Sequence, residues 1–308
     1  MRDRIDPHAT LAAEVRRIVG DEIAEATADL ETARIKPESG FHQARKRLKK
    51  LRALFRLVRS ADEPFWRAEN VRLRDIARNL AGAREAAALV ETVDRLAKAY
   101  PKEASDGRLA SIRAALVRRH DRIAEDRTGL DGLVGEAIQA IAEGRRAVEG
   151  CVLPEDMQAA ADILADGAAA AIRRALRSLD LAREHGREDD FHELRKAVKD
   201  HSAHLAVLAS FWPKPVRSRR KQVGELGDLL GELNDLFVLR ELIDRQDESL
   251  GVNGDIRLLQ RLLKRSEKKL RKHCLREAER LFALRPAKVG RRLAERYRDD
   301  AGETPQIH

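Results

Sequence analysis

Aromatic residues are scarce in this 308-residue chain, at 4%. Reading nucleobases by stacking takes aromatic side chains beside a basic surface, and this sequence has few to offer. Cysteine is scarcer still. Cys151 and Cys274 are the only two, and no CxxC pair occurs, so neither a disulfide framework nor a zinc site of familiar spacing is expected. There is no run of about 18 apolar residues, which argues against a membrane span. The start, Met1-Arg-Asp-Arg-Ile, lacks the apolar stretch of a secretory signal, so a cytoplasmic location is expected. The chain also has no Walker A loop, no GxSxG and no HExxH. No cofactor, no metal and no enzymatic activity are therefore expected.

What the chain does have is charge on a helix-forming background. Charged residues make up 37% and hydrophobic residues 43%, with 61 Lys+Arg against 52 Asp+Glu, a net charge of +9 and a pI near 9.7. Ala, Leu, Arg and Glu dominate, which favours an all-α fold. The basic excess points to an acidic partner. Prolines at 7, 37, 64, 101, 154, 213, 215 and 286 punctuate long helical stretches. The pattern predicts helices at about 8–35, 38–60, 64–81, 83–99, 105–127 and 130–149 in the first half of the chain. In the second half it predicts them at about 155–185, 188–210, 215–231, 233–248 and 254–284.

An internal repeat organises these segments. Phe41-His-Gln-Ala-Arg-Lys recurs as Phe191-His-Glu-Leu-Arg-Lys, an offset of 150 residues. The same offset aligns Lys49 with Lys199, Leu80 with Leu230, and Arg84-Glu85 with Asn234-Asp235. Phe65-Trp66 and Phe211-Trp212 match at an offset of 146. Several matches in one order argue for duplication. The expectation is one domain over 1–308, built from two four-helix-bundle-like halves, 1–150 and 151–308, related by pseudo-two-fold symmetry.

The repeated helix carries the chemistry. From Phe41 to Val58, the positions Phe41, Ala44, Leu48, Leu51, Phe55 and Val58 form one apolar stripe. Displaced by one residue, about 100° around the helix, the stripe reads His42, Arg45, Lys49, Arg52, Arg56 and Arg59. Lys46, Arg47 and Lys50 widen it, and no Asp or Glu occurs from Phe41 to Ala61. Like charges three and four apart cost roughly 0.2–0.5 kcal/mol per pair, so a counter-charge from outside the chain is the economical explanation. In the second half the apolar stripe is Phe191, Leu194, Val198, His201, Leu205 and Leu208. Its displaced partner keeps His192, Arg195 and Lys199 and then turns to Ser202, Ala206 and Ala209. The retained unit is His-x-x-Arg-Lys-x-x-Lys, which includes Lys46 and Lys196 and presents charge-assisted donors suited to phosphate oxygens. The Lys214–Lys221 cluster, with Arg217, Arg220 and Lys221, is a candidate extension. The basic run Arg257–Arg276 reads as a solvated helix face. His201 and His204 read as packed core histidines rather than metal ligands, and Asp189-Asp190 as the acidic start of a helix.

The two His-x-x-Arg-Lys-x-x-Lys helices resemble those of the CHAD family, the conserved histidine α-helical domains. So does Leu230-Gly-Glu-Leu-Asn-Asp-Leu-Phe-Val, whose first-half counterpart is Leu80-Ala-Gly-Ala-Arg-Glu-Ala-Ala-Ala. The resemblance covers about residues 8–285 and looks like a stand-alone copy, since an ExExK signature is absent. It implies two four-helix bundles around a basic cleft, binding of inorganic polyphosphate, and association with polyphosphate granules. By position it implies contacts from His42, Arg45, Lys46, Lys49, Arg52 and Arg56 in the first half. In the second half it implies His192, Arg195, Lys196 and Lys199. Where the family often continues with Arg-Tyr after the second-half Lys, this chain has Ser202-Ala203, and Arg84-Glu85 replaces the frequent Arg-Asp. The second half is therefore expected to contribute less to binding. The competing readings are binding of a nucleic-acid phosphate backbone and a helical scaffold without a ligand. Binding through His42 and His192 would strengthen below about pH 7.

Overall fold

The computed structural model describes residues 3–80, 82–125, 128–211, 213–245, 250 and 253–302, with backbone alone at 82–85, 213–215 and 253. The side chains of Arg84, Glu85 and Lys214, and the whole of Trp212, thus lie outside what is described. The described chain is all-α, with no strand. The first half holds α1 (Leu11–Ala33), α2 (Pro37–Leu57), α3 (Glu63–Asn79), α4 (Gly82–Ala99), α5 (Pro101–Ala104), α6 (Arg108–Glu125) and α7 (Leu130–Glu149). The second holds α8 (Met157–Glu184), α9 (Glu188–Val207), α10 (Pro213–Asp244), α11 (Asn253–Leu281) and α12 (Pro286–Gly302).

Local chemistry sets the helix starts. Thr10 accepts from Ala13 N–H at the head of α1, Asp62 from Phe65 N–H at α3, and Asp156 from Ala159 N–H at α8. Asp190, in the first turn of α9, accepts from the Arg187 N–H at 3.1 Å, as the acidic start of that helix led us to expect. Pro37, Pro101 and Pro286 open α2, α5 and α12, where a missing N–H costs nothing.

Two expectations are corrected. The segments 215–231 and 233–248 are one continuous helix, α10. Leu230, Leu233, Leu236 and Phe237 are all buried on it, so packing carries the helix through Gly231 without a break. The first-half counterpart does end α3 at Asn79, with Leu80 outside the helical region at φ −89°, ψ 17°. The second correction is α12, which was not foreseen. It packs along α8 through Leu293, Ala294 and Tyr297, and the Tyr297 ring meets Phe211 edge-on at 5.2 Å.

Three apolar clusters form the interior. One joins α1, α2, α3, α7 and the start of α8 with α12. A second joins the rest of α8 with α9, α10 and α11. The third joins α4 and α6 with the end of α10 and the start of α11. Two of the three thus draw on both sides of residue 150. The apolar stripe of α2 is buried from Ala44 to Val58, with Phe41 half-buried at its edge, and that of α9 is buried from Phe191 to Leu208. α2 packs against both α8 and α9. Where α8 crosses the end of α2, Gly167 lets the two backbones touch. A Cβ there would fall 1.9 Å from Leu57 O. The crossing brings α9, which follows α8, against α2.

Candidate functional site

The repeated basic helices meet. Lys49 on α2 lies within electrostatic reach of Arg45 and Arg52 on its own helix and of Arg195 and Lys199 on α9. Two stripes 150 residues apart in sequence thereby form one cation cluster. The Lys49 side chain is exposed but walled in by protein. Partial removal from bulk water pushes its ammonium down to about 8, and the four neighbouring cations push it the same way. Lys49 has no ion pair among the described residues.

Arg52 continues the cluster. It is half-buried, and its Nε donates to Asn70 Oδ1 on α3 at 3.0 Å, while Asn70 Nδ2 donates back to Arg52 O at 3.0 Å. Burial first, and then neighbouring Arg56, lower its guanidinium to about 10. Arg45 reaches Leu80 O at the end of α3 at 3.5 Å. His42 is half-buried, one turn earlier on α2, and Lys46 is exposed.

On α9 the partners come from α10, which folds back antiparallel. His192 Nδ1 lies 3.0 Å from Asn234 Oδ1. A Cβ on Gly231 would sit 3.8 Å from Arg195 Nη2, and one on Gly227 would sit 3.1 Å from Lys199 Nζ. The two glycines leave a smooth track along which both cationic side chains lie. Arg195 loses stability as a cation through burial, opposed by Asp235 and Asp228, and its Nε has no hydrogen-bond partner among the described residues. Asp235 is itself engaged by Arg95 at 2.9 Å.

Other predicted contacts are occupied internally. Arg56 Nη1 donates to Asp200 Oδ1 at 3.0 Å, and Asp200 also accepts from Arg174 on α8 at 2.6 Å. Lys196 pairs with Glu193 one turn back. Arg47 and Lys50 do not widen the basic face as expected. They turn onto α1, Arg47 towards Glu22, Glu25 and Asp29, and Lys50 towards Glu22 at 2.9 Å and Asp3 at 2.6 Å. The counter-charge for this flank is therefore internal. Arg217, Arg220 and Lys221 are exposed on the first turns of α10, with Lys221 4.0 Å from Glu225.

His201 and His204 are both buried. His204 Nε2 donates to Ala53 O on α2 at 2.8 Å, fastening α9 to α2. Burial drives the His201 imidazole down to about 3. Among the described residues no group of three His, Cys, Asp or Glu is placed to hold a metal ion. No described helix is long and apolar enough to cross a membrane. Sequence reasoning missed Asn70, Arg174, Asp200 and Gly227 as parts of this site. Only Gly227, three residues before the Leu230-Gly231 motif and on its face, carried a readable signal.

No curated protein matches the chain. The CHAD domain matches residues 17–244, about three quarters of its length, and the protein belongs to the CHAD family.

Proposed function

We propose that this protein binds inorganic polyphosphate in a basic cleft between α2 and α9, and associates through it with polyphosphate granules in the cytoplasm. The observation that carries the reading is Lys49. Its ammonium is crowded by Arg45, Arg52, Arg195 and Lys199 and has no acid of its own among the described residues. A fold does not assemble such a cluster for stability, since every member raises the charging cost of the others. A polyanion reverses the sign of that cost. The family's association with polyphosphate agrees with this chemistry.

The reading assigns no catalytic step; the protein is a binding module. A chain of phosphates without bases fits a site whose nearby aromatics are committed to packing, with Phe55 against Trp66 at 4.9 Å and Phe191 against Phe237 at 6.4 Å. The test is competition at matched salt between size-fractionated polyphosphate, single-stranded DNA and RNA for the full chain. Polyphosphate is expected to displace both nucleic acids. Preferential retention of DNA or RNA overturns the reading in favour of nucleic-acid backbone binding. Retention of no polyanion leaves the scaffold alternative.

A further inference from the structure

A second basic region differs from the first by being lined with carbon. Between α9, the start of α10 and the α11–α12 connection lies a cavity of about 600 Å³. Leu205, Val216, Leu284 and Val289 supply apolar wall. Its charged lining is Arg219, Arg285, Lys288 and Arg292, with no carboxylate among the lining residues. Arg285, Lys288 and Arg292 are exposed and make no ion pair or side-chain hydrogen bond among the described residues. Elsewhere on the surface arginines find acids, as Arg183 finds Glu279 at 2.8 Å and Arg113 finds Asp94 at 2.6 Å.

The fourth wall is His201, 4% exposed. Arg219 Nε–H donates to His201 Nε2 at 3.2 Å, so Nε2 is the lone-pair nitrogen. The neutral ring then carries its hydrogen on Nδ1, and that buried nitrogen has no partner. Arg219 is itself held by Leu281 O at 2.6 Å, so its guanidinium is fixed at the cavity edge.

We infer that this cavity binds a phosphate monoester carried on an apolar chain. Three uncompensated cations suit a dianionic head better than a carboxylate, and the aliphatic wall suits a hydrocarbon body. Polyphosphate has no such body, so the site is distinct in chemistry from the α2–α9 cluster.

The probe is decyl phosphate below its micelle concentration, titrated calorimetrically into the full chain. One molecule is expected to bind per chain. Removing three charge-assisted contacts in the combined variant Arg285→Ala, Lys288→Ala, Arg292→Ala should weaken binding at least about tenfold. All three residues are exposed, so an unchanged melting curve is expected to accompany the loss. Val289→Asp should weaken it comparably by charging the apolar wall. Equal binding by the triple variant overturns the site, and so does inorganic phosphate binding as tightly as decyl phosphate. Saturating polyphosphate should leave the titration unchanged. Displacement by it makes the cavity a stretch of the polyphosphate path and overturns a separate site. The α2–α9 variant Lys49→Glu should lose polyphosphate and keep decyl phosphate, which separates failure of this inference from failure of the proposed function. Sedimentation with phosphatidylcholine vesicles containing phosphatidic acid, lost in the triple variant, assigns the ester to a lipid head group. No sedimentation, with decyl phosphate still bound, assigns it to a soluble ester.

Discussion

α2 and α9 carry the same His-x-x-Arg-Lys-x-x-Lys motif, and they spend their charges differently. α2 carries basic residues from His42 to Arg56, yet its far end is settled within the protein, with Arg56 on Asp200 at 3.0 Å and Arg59, just past the helix, near Glu63 at 3.9 Å. Besides the buried His201 and His204, α9 carries only His192, Arg195, Lys196 and Lys199, and the residue after Lys199 is the acid that holds Arg56. At the repeat offset, Asp200 stands where α2 has Lys50, which is itself neutralised by Asp3 and Glu22. A count of basic residues thus overstates both helices, since on α9 Lys196 pairs with Glu193 and Lys199 Nζ lies 3.5 Å from Asp228 Oδ1. What the two helices share is the Arg and the second Lys of the motif, and these are the residues gathered at Lys49.

The sharpest way to break the comparison is charge reversal in each half. Arg45→Glu with Lys49→Glu should weaken polyphosphate binding by about 100-fold or more, since each charge-assisted contact is worth about 1.5–3 kcal/mol. Arg195→Glu with Lys199→Glu should cost a similar factor by the same equilibrium measurement. A much smaller loss from the α9 pair would return binding to the first half, as the departures Ser202-Ala203 suggest. The next effect is on pH. Lys49 is held near 8 in the empty site, and a bound polyanion raises it. Binding therefore takes up a proton, and affinity should rise about tenfold as pH falls from about 9.5 to 7. Lys49→Arg should flatten that slope. A rise confined below pH 7 would instead assign the linkage to His42 and His192. For the empty protein the sign is opposite in consequence. A depressed folded-state value means stability grows as pH climbs from 8 towards 10.5. Lys49→Met should accordingly raise the melting temperature by about 1–3 °C while weakening binding.

Much of this arrangement was legible in the sequence, and the part that was not has a common cause. Periodicity located α2 and α9 and separated their apolar stripes from their basic ones, because a buried face and a solvated face obey the same 3.6-residue period. The repeat marked Lys49 and Lys199 as equivalent, but nothing in it says that they face one another. That follows from α8 crossing α2 at Gly167, a tertiary event. The same limit hid the fates of Arg47, Lys50 and Arg56. Their acids, Glu22, Asp3 and Asp200, lie between 25 and 144 residues away in sequence, so a helix free of acids over 41–61 looked unneutralised when one of its flanks was not. α10 was read as two helices where Gly231 weakens the local preference, which buried leucines on both sides override.

A smaller effect tests the glycine track beside α9. Gly227→Ala places a Cβ 3.1 Å from Lys199 Nζ, and Gly231→Ala places one at an ordinary 3.8 Å from Arg195. Lys199 is flexible and exposed, so it shifts rather than clashes. Affinity should fall about threefold in Gly227→Ala and stay unchanged in Gly231→Ala, while both gain up to about 1 kcal/mol of helix propensity.

The smallest expected change in binding is also the most discriminating, because it concerns a residue the sequence placed in the site. Arg56 differs from Arg52, one turn earlier, in having a carboxylate. Arg52 gives its Nε to Asn70, and Arg56 gives Nη2 to the same Asn70 oxygen at 3.1 Å and Nη1 to Asp200. Arg56 therefore acts as a clamp between α2, α3 and α9, and its charge is already matched. Arg56→Met keeps the aliphatic stem and removes the clamp. Affinity for polyphosphate should change less than about twofold, while stability should fall by about 1–2 kcal/mol as Asp200 is left to Arg174 alone. Denaturant unfolding reads the second quantity, and the binding isotherm reads the first. Arg52→Met should reverse the pattern, losing about tenfold in affinity for a smaller loss in stability. If both variants lose affinity equally, the basic stripe of α2 binds along its whole length, and the internal pairing with Asp200 yields to the ligand when it arrives.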